Sequence, residues 1–121
     1  MGTILVADDD DQLLDLYERW LERDGWAVRT ATNGDEAVSA LDDTVEVAVL
    51  DRQMPAIPGD EVARRASSSH PECNVVIASA FQPDDRIDGS AYDDYLTKPV
   101  YRDDLVTAVE AQLSAPEMAE S

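Results

Sequence analysis

The sequence predicts a single α/β domain, a doubly wound five-stranded parallel sheet with helices on both faces. Short apolar runs alternate with amphipathic stretches along the chain, which is the order of parallel strands joined by helical crossovers. The apolar runs are nearly continuous, as expected of strands that are covered on both faces. With 121 residues, the chain has the size of one domain and can bury one hydrophobic core without disulfides or a structural metal.

The first strand and helix are indicated by their periodicity. Thr3–Ala7 is a short apolar run that ends in acidic residues, which favours a buried strand. Residues 11–24 are predicted to be a helix, because apolar side chains recur there at helical spacing, and Gly25 is predicted to end it. Residues 26–30 are the second predicted strand. The apolar stripe of the first helix consists of Leu13, Leu14, Tyr17, Trp20 and Leu21.

A turn, a second helix and a third strand follow. Asn33 and Gly34 form a turn pair, and residues 35–41 are predicted to be a helix. Val45–Leu50 is rich in β-branched residues, which predicts a strand, and residues 55–59 are a predicted loop. The inward side chains of this helix are Ala37, Val38 and Leu41.

The second half repeats the pattern. Residues 60–68 are a predicted helix, residues 74–78 and Asp94–Thr97 are predicted strands, and residues 102–113 form the final helix. We therefore expect the folded domain to span residues 1–114. Residues 115–121 are expected to be a flexible tail or the start of a linker to an output domain that is absent here. The apolar stripe of the final helix is Leu105, Val106, Val109 and Leu113.

The chain is strongly acidic, with 27 Asp and Glu against 9 Lys and Arg and a net charge of −18. Such a surface repels the phosphates of nucleic acid, so direct nucleic acid binding is not expected. The acids are spread between apolar segments, which favours a folded protein of a salt-rich cytoplasm over a disordered acidic tail. One cysteine, Cys73, suits a reducing compartment, and no apolar run reaches the length of a membrane span. We expect a cytoplasmic protein without a membrane partner.

Five chemically active side chains follow predicted strands. Asp8 and Asp9 come after the first strand, Asp51 after the third, Ser79 after the fourth, and Lys98, the only lysine, after the fifth. Because the carboxyl ends of parallel strands meet at one edge, these groups should converge. Clustered carboxylates favour a hard divalent cation such as Mg²⁺. With a lysine and a hydroxyl beside them, they suit phosphoryl transfer to a carboxylate.

Four motifs in the order and spacing seen here resemble the receiver domains of two-component response regulators. The resemblance implies a flavodoxin-like (CheY-like) fold with strand order 2-1-3-4-5, and it covers nearly the whole chain. It further implies a sensor histidine kinase as partner, and an output domain or a second copy as the recipient of the signal. The acidity and the residues Leu-Asp-Arg-x-Met-Pro also resemble haloarchaeal regulators of the HalX type. The motifs are ILVADDD from residue 4, LDRQMP from residue 50, ASA from residue 78 and YLTKP from residue 95.

The resemblance assigns roles to the converging residues. Asp51 matches the phosphoacceptor, and Asp8 and Asp9 match the acidic pair that holds Mg²⁺, for which Mn²⁺ can substitute. The backbone carbonyl of Gln53 matches a further metal ligand, and Lys98 matches the family's lysine, followed by a cis peptide bond to Pro99. Such a domain is not an enzyme in the usual sense, since it catalyses only its own phosphorylation and slow autodephosphorylation.

The resemblance also implies a switch, formed by the Ser79 hydroxyl and the aromatic side chain of Tyr95. Gln53 and Phe81 match the positions that flank the approach of a hydrolytic water. The stretch between Ser79 and Tyr95 is shorter than is usual in the family, so a short or irregular fourth helix is expected.

Two other classes of function use similar residues. A haloacid-dehalogenase-type phosphohydrolase also uses a strand-end aspartate, but its second aspartate corresponds to Gln53 here. A receiver-like interaction module that works without phosphorylation is the alternative function. Such modules usually lose a key residue, whereas this chain has them all.

Overall fold

The computed structural model describes residues 2–84, 87 and 89–120, with side chains as far as residue 112. It contains a five-stranded parallel sheet in the order β2-β1-β3-β4-β5, which confirms the predicted fold and strand order. None of the helices among these residues has the length and apolar character needed to cross a membrane. The strands are β1 (Thr3–Ala7), β2 (Ala27–Ala31), β3 (Val45–Leu50), β4 (Asn74–Ser79) and β5 (Asp94–Thr97). The helices are α1 (Asp11–Arg23), α2 (Gly34–Ala40), α3 (Gly59–Ser69) and α4 (Arg102–Glu120).

The sheet separates two apolar clusters. Successive side chains of a strand point to opposite faces, so β1 sends Ile4 and Val6 into the cluster shared with α1 and α4. Leu5 and Ala7 enter the other cluster, which α2 and α3 cover. Because both faces are buried, the strands are apolar at nearly every position, as the sequence indicated.

Local sequence signals fix both ends of α1. The Asp10 carboxylate accepts hydrogen bonds from two N–H groups of the first turn and caps the helix. At the other end, Gly25 has a φ of 100° and its N–H donates to Glu22 O at 3.0 Å. The Trp26 N–H donates to Leu21 O at 3.1 Å, which completes a Schellman motif. The predicted helix end at Gly25 is confirmed.

Most element boundaries lie within one residue of the predicted ones, and three of the differences are informative. β2 begins one residue later, at Ala27. Asn33 and Gly34 do not form a separate turn: Asn33 is the N-cap of α2, accepting the Glu36 N–H at 2.8 Å, and Gly34 is already helical. Helix α4 continues to Glu120 rather than ending at residue 113, since residues 115–120 are mostly helix-forming Ala, Glu and Met. That residues 115–121 form a flexible tail stays a prediction.

The connection from β4 to β5 is short, as expected. Its described residues contain one 3₁₀ turn, Gly89–Ala91, where the resemblance places the fourth helix. Ile87 and Ala91 are buried in the cluster beneath α2 and α3. Tyr92 packs against the same cluster and meets Tyr95 edge to face, with ring centroids 5.4 Å apart. Two apolar side chains and an aromatic pair thus cover the area that a longer helix would bury.

Candidate functional site

Two aspartates lie where β1 and β3 end, and sheet pairing holds both. The Asp8 N–H donates to Ala31 O at 3.1 Å, and the Asp51 N–H donates to Ala7 O at 2.9 Å. Pairing therefore continues one residue beyond each strand and fixes the two backbones at the edge of the sheet. Both residues are buried, with Asp8 1% and Asp51 6% exposed.

A tight turn brings Asp9 to the same place. The Asp10 N–H donates to Asp8 Oδ1 at 2.9 Å, so the chain bends directly after the strand. Asp8, Asp9 and Asp51 each place a carboxylate oxygen within 4.8 Å of the other two. The sequence required such a bend, because adjacent residues of an extended strand point to opposite sides.

Lys98 bridges the two buried carboxylates. Its Nζ atom donates to Asp8 Oδ2 at 2.7 Å and to Asp51 Oδ2 at 3.3 Å. Burial lowers the pKa of Lys98, but the hydrogen bond to Asp8 and the charges of Asp51 and Asp8 outweigh it, so the pKa rises overall and the side chain stays an ammonium. Burial, and then the charge of Asp8, raise the pKa of Asp51 above its ordinary value in spite of Lys98.

The donor set fits a divalent metal ion. Three carboxylates face one ammonium, which leaves two negative charges in a largely buried site. Carboxylate oxygens are the hard ligands that Mg²⁺ and Mn²⁺ prefer. The Gln53 N–H donates to Asp51 Oδ1 at 3.3 Å, so the Gln53 backbone lies beside the carboxylate. That its carbonyl binds metal stays a prediction.

The two predicted switch residues meet at the backbone of Phe81. Ser79 is fully buried, and its Oγ accepts the Phe81 N–H at 3.1 Å. The Tyr95 hydroxyl donates to Phe81 O at 2.6 Å. The Ser79 carbonyl accepts the Lys98 N–H at 2.7 Å, which ties the end of β4 to the end of β5. The Lys98–Pro99 peptide bond is cis, as the resemblance implied.

Arg52, which directly follows Asp51, has no role predicted from the sequence. Its side chain is 6% exposed and pairs with Asp60 through Nε at 3.0 Å and through Nη2 at 3.1 Å. Nη2 also donates to Asp84 Oδ1 at 2.9 Å. Nη1 donates to the Tyr95 hydroxyl at 3.2 Å and to Gln82 O at 3.4 Å. The sequence contained one signal that could have identified Arg52: it is an arginine directly after Asp51 in a chain with only 9 Lys and Arg.

The backbone of Asp51 packs directly on helix α3. The Gly59 N–H donates to Arg52 O at 3.0 Å. A Cβ atom at Gly59 would lie 1.9 Å from the Asp51 carbonyl oxygen, which is too close for any side chain, so only glycine fits at this position. A cavity is lined by the two residues that follow Asp51, which are Arg52 and Gln53, and by Pro58, Asp60 and Phe81. The two positions expected to flank a water therefore share one cavity.

Tyr17 lies under the site without a recognised role. Its hydroxyl is buried and has no hydrogen-bond partner among the described residues. Burial raises the pKa of Tyr17, and the charges of Lys98, Asp8 and Asp51 act on it as well. The sequence presented this residue only as part of the apolar stripe of α1.

The curated relatives that match this chain in sequence are longer than it. A protein of Haloferax volcanii assigned as a transcriptional regulator is 41% identical over 110 residues, which are 91% of this chain and 19% of that protein. The transcriptional regulatory protein CpxR of Escherichia coli K12 is 32% identical over 115 residues, 93% of this chain and 50% of that protein. The chain thus spans about half the length of such relatives, or less. The Haloferax match supports the resemblance to regulators of halophilic archaea.

Solved structures agree with the fold. The BeF₃-activated receiver domain of DrrB has a TM-score of 0.85 and 28% identity, covering 94% of this chain and 98% of that one. The response regulator TrrA of Thermotoga maritima, solved with Mg²⁺-BeF, has a TM-score of 0.81 and 29% identity, covering 93% and 99%. TrrA in complex with the histidine kinase ThkA has a TM-score of 0.81 and 32% identity, covering 94% and 100%. Residues 4–110 match the family described as the response regulator receiver domain, so the chain belongs to this family.

Proposed function

We propose that Asp51 accepts a phosphoryl group from a sensor histidine kinase and that the modification switches the contacts of this domain. The observation that carries the proposal is the bridge of Lys98 between Asp8 and Asp51, beside a third carboxylate. Such a cluster does not stabilise the core, because neighbouring carboxylates disfavour one another's charged form and so raise one another's pKa values. The arrangement suits a reaction in which a metal cation and a charged phosphoryl group enter the site.

The chemistry follows from the groups present. A carboxylate oxygen of Asp51 attacks the phosphorus, and the new O–P bond forms as the P–N bond to the kinase histidine breaks; the histidine nitrogen keeps the electron pair. Lys98 then offers its ammonium to a phosphoryl oxygen, and Ser79 donates its hydroxyl proton to another. Mg²⁺ or Mn²⁺, held by Asp8, Asp9, Asp51 and the Gln53 carbonyl, supplies charge neutralisation at the phosphoryl group.

The partners follow from the same proposal. The complex of TrrA with a histidine kinase supports a kinase as the phosphodonor. The greater length of the relatives supports an attached output domain as the recipient, and a second copy of this domain is the other candidate. The domain itself does not bind nucleic acid, because its net charge of −18 opposes the phosphate backbone. We place the reaction in the cytoplasm, where the kinase domain and its ATP are found.

Incubation with acetyl phosphate and Mg²⁺, followed by intact-protein mass spectrometry, tests the proposal. We expect the added mass of one phosphoryl group, stable in acid and released in alkali, as for an acyl phosphate. Asp51→Asn should abolish it. Label that survives in Asp51→Asn would show that another residue is the nucleophile. No label in the wild-type chain, even with a kinase, would favour the interaction module that works without phosphorylation. Steady turnover of phosphate esters would favour a phosphohydrolase.

A further inference from the structure

Tyr17 carries a buried hydroxyl that the packing of the core does not explain. The residue is 1% exposed, and among the described residues its hydroxyl is the one buried side-chain polar atom without a hydrogen-bond partner. Buried polar groups in folded proteins are nearly always hydrogen-bonded, because burial without a partner costs free energy. Phenylalanine would fill the same space without this cost, so we looked for a role of the hydroxyl outside the core.

The position of Tyr17 in α1 directs its side chain toward the site. Helix α1 begins at Asp11, directly after the acidic residues at the end of β1, and long side chains of a helix lean toward its N-terminus. Tyr17 packs in the same apolar cluster as Ala78, from the end of β4, and Val100, from the segment after β5. The ring therefore lies between the core and the edge of the sheet at which the site is built.

The charges of the site act on the Tyr17 hydroxyl. Burial has the largest effect and raises the pKa of Tyr17, and the charge of Lys98 comes next and lowers it, ahead of the raising effects of Asp8 and Asp51. The interaction between charges weakens with distance. The ammonium of Lys98 is thus the charge that acts most strongly on the hydroxyl, and its sign favours a hydroxyl oxygen that is turned toward it.

Lys98 has one N–H group beyond those that the two buried carboxylates accept. An ammonium has three N–H donors, and in the part of the chain that the structure describes Nζ donates to Asp8 and Asp51. The Lys98 side chain is 17% exposed, so water can reach the third N–H while the site is open. A phosphoryl group on Asp51, with a cation beside it, would cover the ammonium and displace that water. The third N–H then needs another acceptor.

We propose that Tyr17 is a positioning residue for Lys98, whose third N–H its hydroxyl oxygen accepts when the site is loaded, so that the ammonium is held against the phosphoryl oxygen. The inference rests on the function proposed for Asp51. In the unloaded domain the hydroxyl oxygen has no partner and lowers stability. In the loaded domain it replaces the water that the ammonium has lost. The hydroxyl therefore favours the loaded domain over the unloaded one.

A hydroxyl with a merely structural role gives a different result. Its loss changes the stability of the fold but leaves binding at Asp51 unchanged, because Tyr17→Phe keeps the aromatic ring and its contact with Trp20, at 5.8 Å between ring centroids. Under the proposal, Tyr17→Phe stabilises the unloaded domain and weakens binding at Asp51. The two effects have opposite signs and are measured in the same protein.

The test uses beryllofluoride, a tetrahedral mimic of the phosphoryl group, in the presence of Mg²⁺. Melting temperatures are measured without beryllofluoride, and its affinity is measured by titration, followed by ¹⁹F NMR of the bound fluorides. Tyr101→Phe is the matched control, because it removes a hydroxyl from a side chain that is 66% exposed. Tyrosine labelled with ¹³C at Cζ reports on the hydrogen bonding of each hydroxyl, and the signal that is missing from Tyr17→Phe identifies Tyr17.

We expect Tyr17→Phe to melt at a higher temperature than the wild type and to bind beryllofluoride several-fold more weakly. In the wild-type domain, the Cζ signal of Tyr17 should shift when beryllofluoride binds, because its hydroxyl gains a hydrogen bond. Tyr101→Phe should bind as the wild type does.

Failure of the inference and failure of the proposed function are distinguishable. A wild-type domain that does not bind beryllofluoride overturns the function proposed for Asp51, and the inference with it. If the wild type binds, a Tyr17→Phe domain that binds equally or more tightly overturns the inference alone, and an unchanged Cζ signal of Tyr17 does the same. A Tyr17→Phe domain that is both less stable and weaker in binding would show that the hydroxyl is already paired in the unloaded domain, which also contradicts the inference.

Discussion

Lys98 pairs more closely with Asp8 than with the proposed acceptor, at 2.7 Å compared with 3.3 Å for Asp51. The carboxylate of Asp8, which we propose as a metal ligand, is therefore also the main partner of the lysine. A divalent cation at Asp8 would replace part of that attraction and leave the ammonium available to a phosphoryl oxygen. The proposed metal site and Lys98 thus share one side chain.

The first prediction concerns Asp9, the exposed member of the acidic group. Asp9→Asn should weaken Mg²⁺ binding at least several-fold and abolish phosphorylation by acetyl phosphate, because it replaces one of the three carboxylates by a neutral amide. Mg²⁺ titration by NMR measures the affinity. Asp10→Asn is the matched control: it makes the same change of charge one residue away, and asparagine also caps a helix. Equal Mg²⁺ affinity of Asp9→Asn and wild type would contradict the metal site.

The second prediction concerns the buried charge of Asp51. Its pKa in the folded protein is raised, foremost by burial, so folding favours the protonated form and stability falls as pH rises from the unfolded pKa through the folded one. Above the folded pKa the penalty is complete, and there Asp51→Asn should melt at a higher temperature than wild type in Mg²⁺-free buffer. The difference should shrink as pH falls back through that window. A less stable variant above the folded pKa would show that the bond to Lys98 outweighs the penalty.

Salt should stabilise the fold. A net charge of −18 produces self-repulsion, and at molar salt the Debye length falls to about 3 Å, so the repulsion is screened. The melting temperature is expected to rise steadily as KCl increases from dilute to molar concentrations. Urea, which is uncharged, should allow the same comparison by chemical unfolding. Melting curves that do not shift with KCl would leave the acidity without this explanation.

Tyr17 gives a prediction on stability. A buried hydroxyl without a hydrogen-bond partner carries a desolvation cost, so Tyr17→Phe should increase the free energy of unfolding by roughly 1 kcal/mol. Urea unfolding measures the change. Tyr101→Phe serves as the control, because Tyr101 is 66% exposed and its hydroxyl can reach water. A destabilised Tyr17→Phe would reveal a partner for the buried hydroxyl, such as an ordered water.

The last prediction concerns the lifetime of the phosphorylated domain. Phe81 and Gln53 line the same cavity, where Phe81 offers bulk but no hydrogen-bonding side chain, whereas Gln53 can orient a water. Excluding water prevents attack on the phosphoryl group, whereas orienting water only improves the attack of a molecule that is already present. We therefore expect the phosphoryl group to be lost slowly. Phe81→Glu should lose the phosphoryl group severalfold faster than wild type at matched high salt, and Phe81→Leu should stay slow. A Phe81→Glu domain that decays at the wild-type rate would show that Phe81 does not guard the site.

The convergence of Asp8, Asp51 and Lys98 could be predicted from sequence, because it depends on topology alone, and Asp9 needs in addition the turn after β1. Parallel strands end at one edge, and a residue that directly follows a strand cannot lie far from that edge. The contacts of Arg52 could not be predicted in this way. Its partners Asp60, Asp84 and Tyr95 lie 8, 32 and 43 residues away and are selected by side-chain packing. A single sequence carries no signal for such pairs.

Helix ends show the same contrast between predictable and unpredictable features, here among residues that are close in sequence. The Schellman motif at Gly25 was predictable, because a glycine after an amphipathic stretch has few other uses. At Asn33 and Gly34, the same residue types suit both a turn and the start of a helix, and the capping bond to Glu36 decided between them. The predicted end of α4 at residue 113 is wrong, because the helix continues past Pro116 to Glu120.

The contact between Gly59 and the Asp51 carbonyl has a mechanical consequence. Most helices rest on a sheet through side chains, which can tilt and absorb small displacements. Here the backbone of Gly59 packs against the backbone of Asp51, and no side chain lies between them to absorb a displacement. With no side chain between the two backbones, we expect a shift of the Asp51 backbone to move the first turn of α3 as well. Glycine at this position therefore places the start of the helix directly against the residue that we propose as the phosphoacceptor.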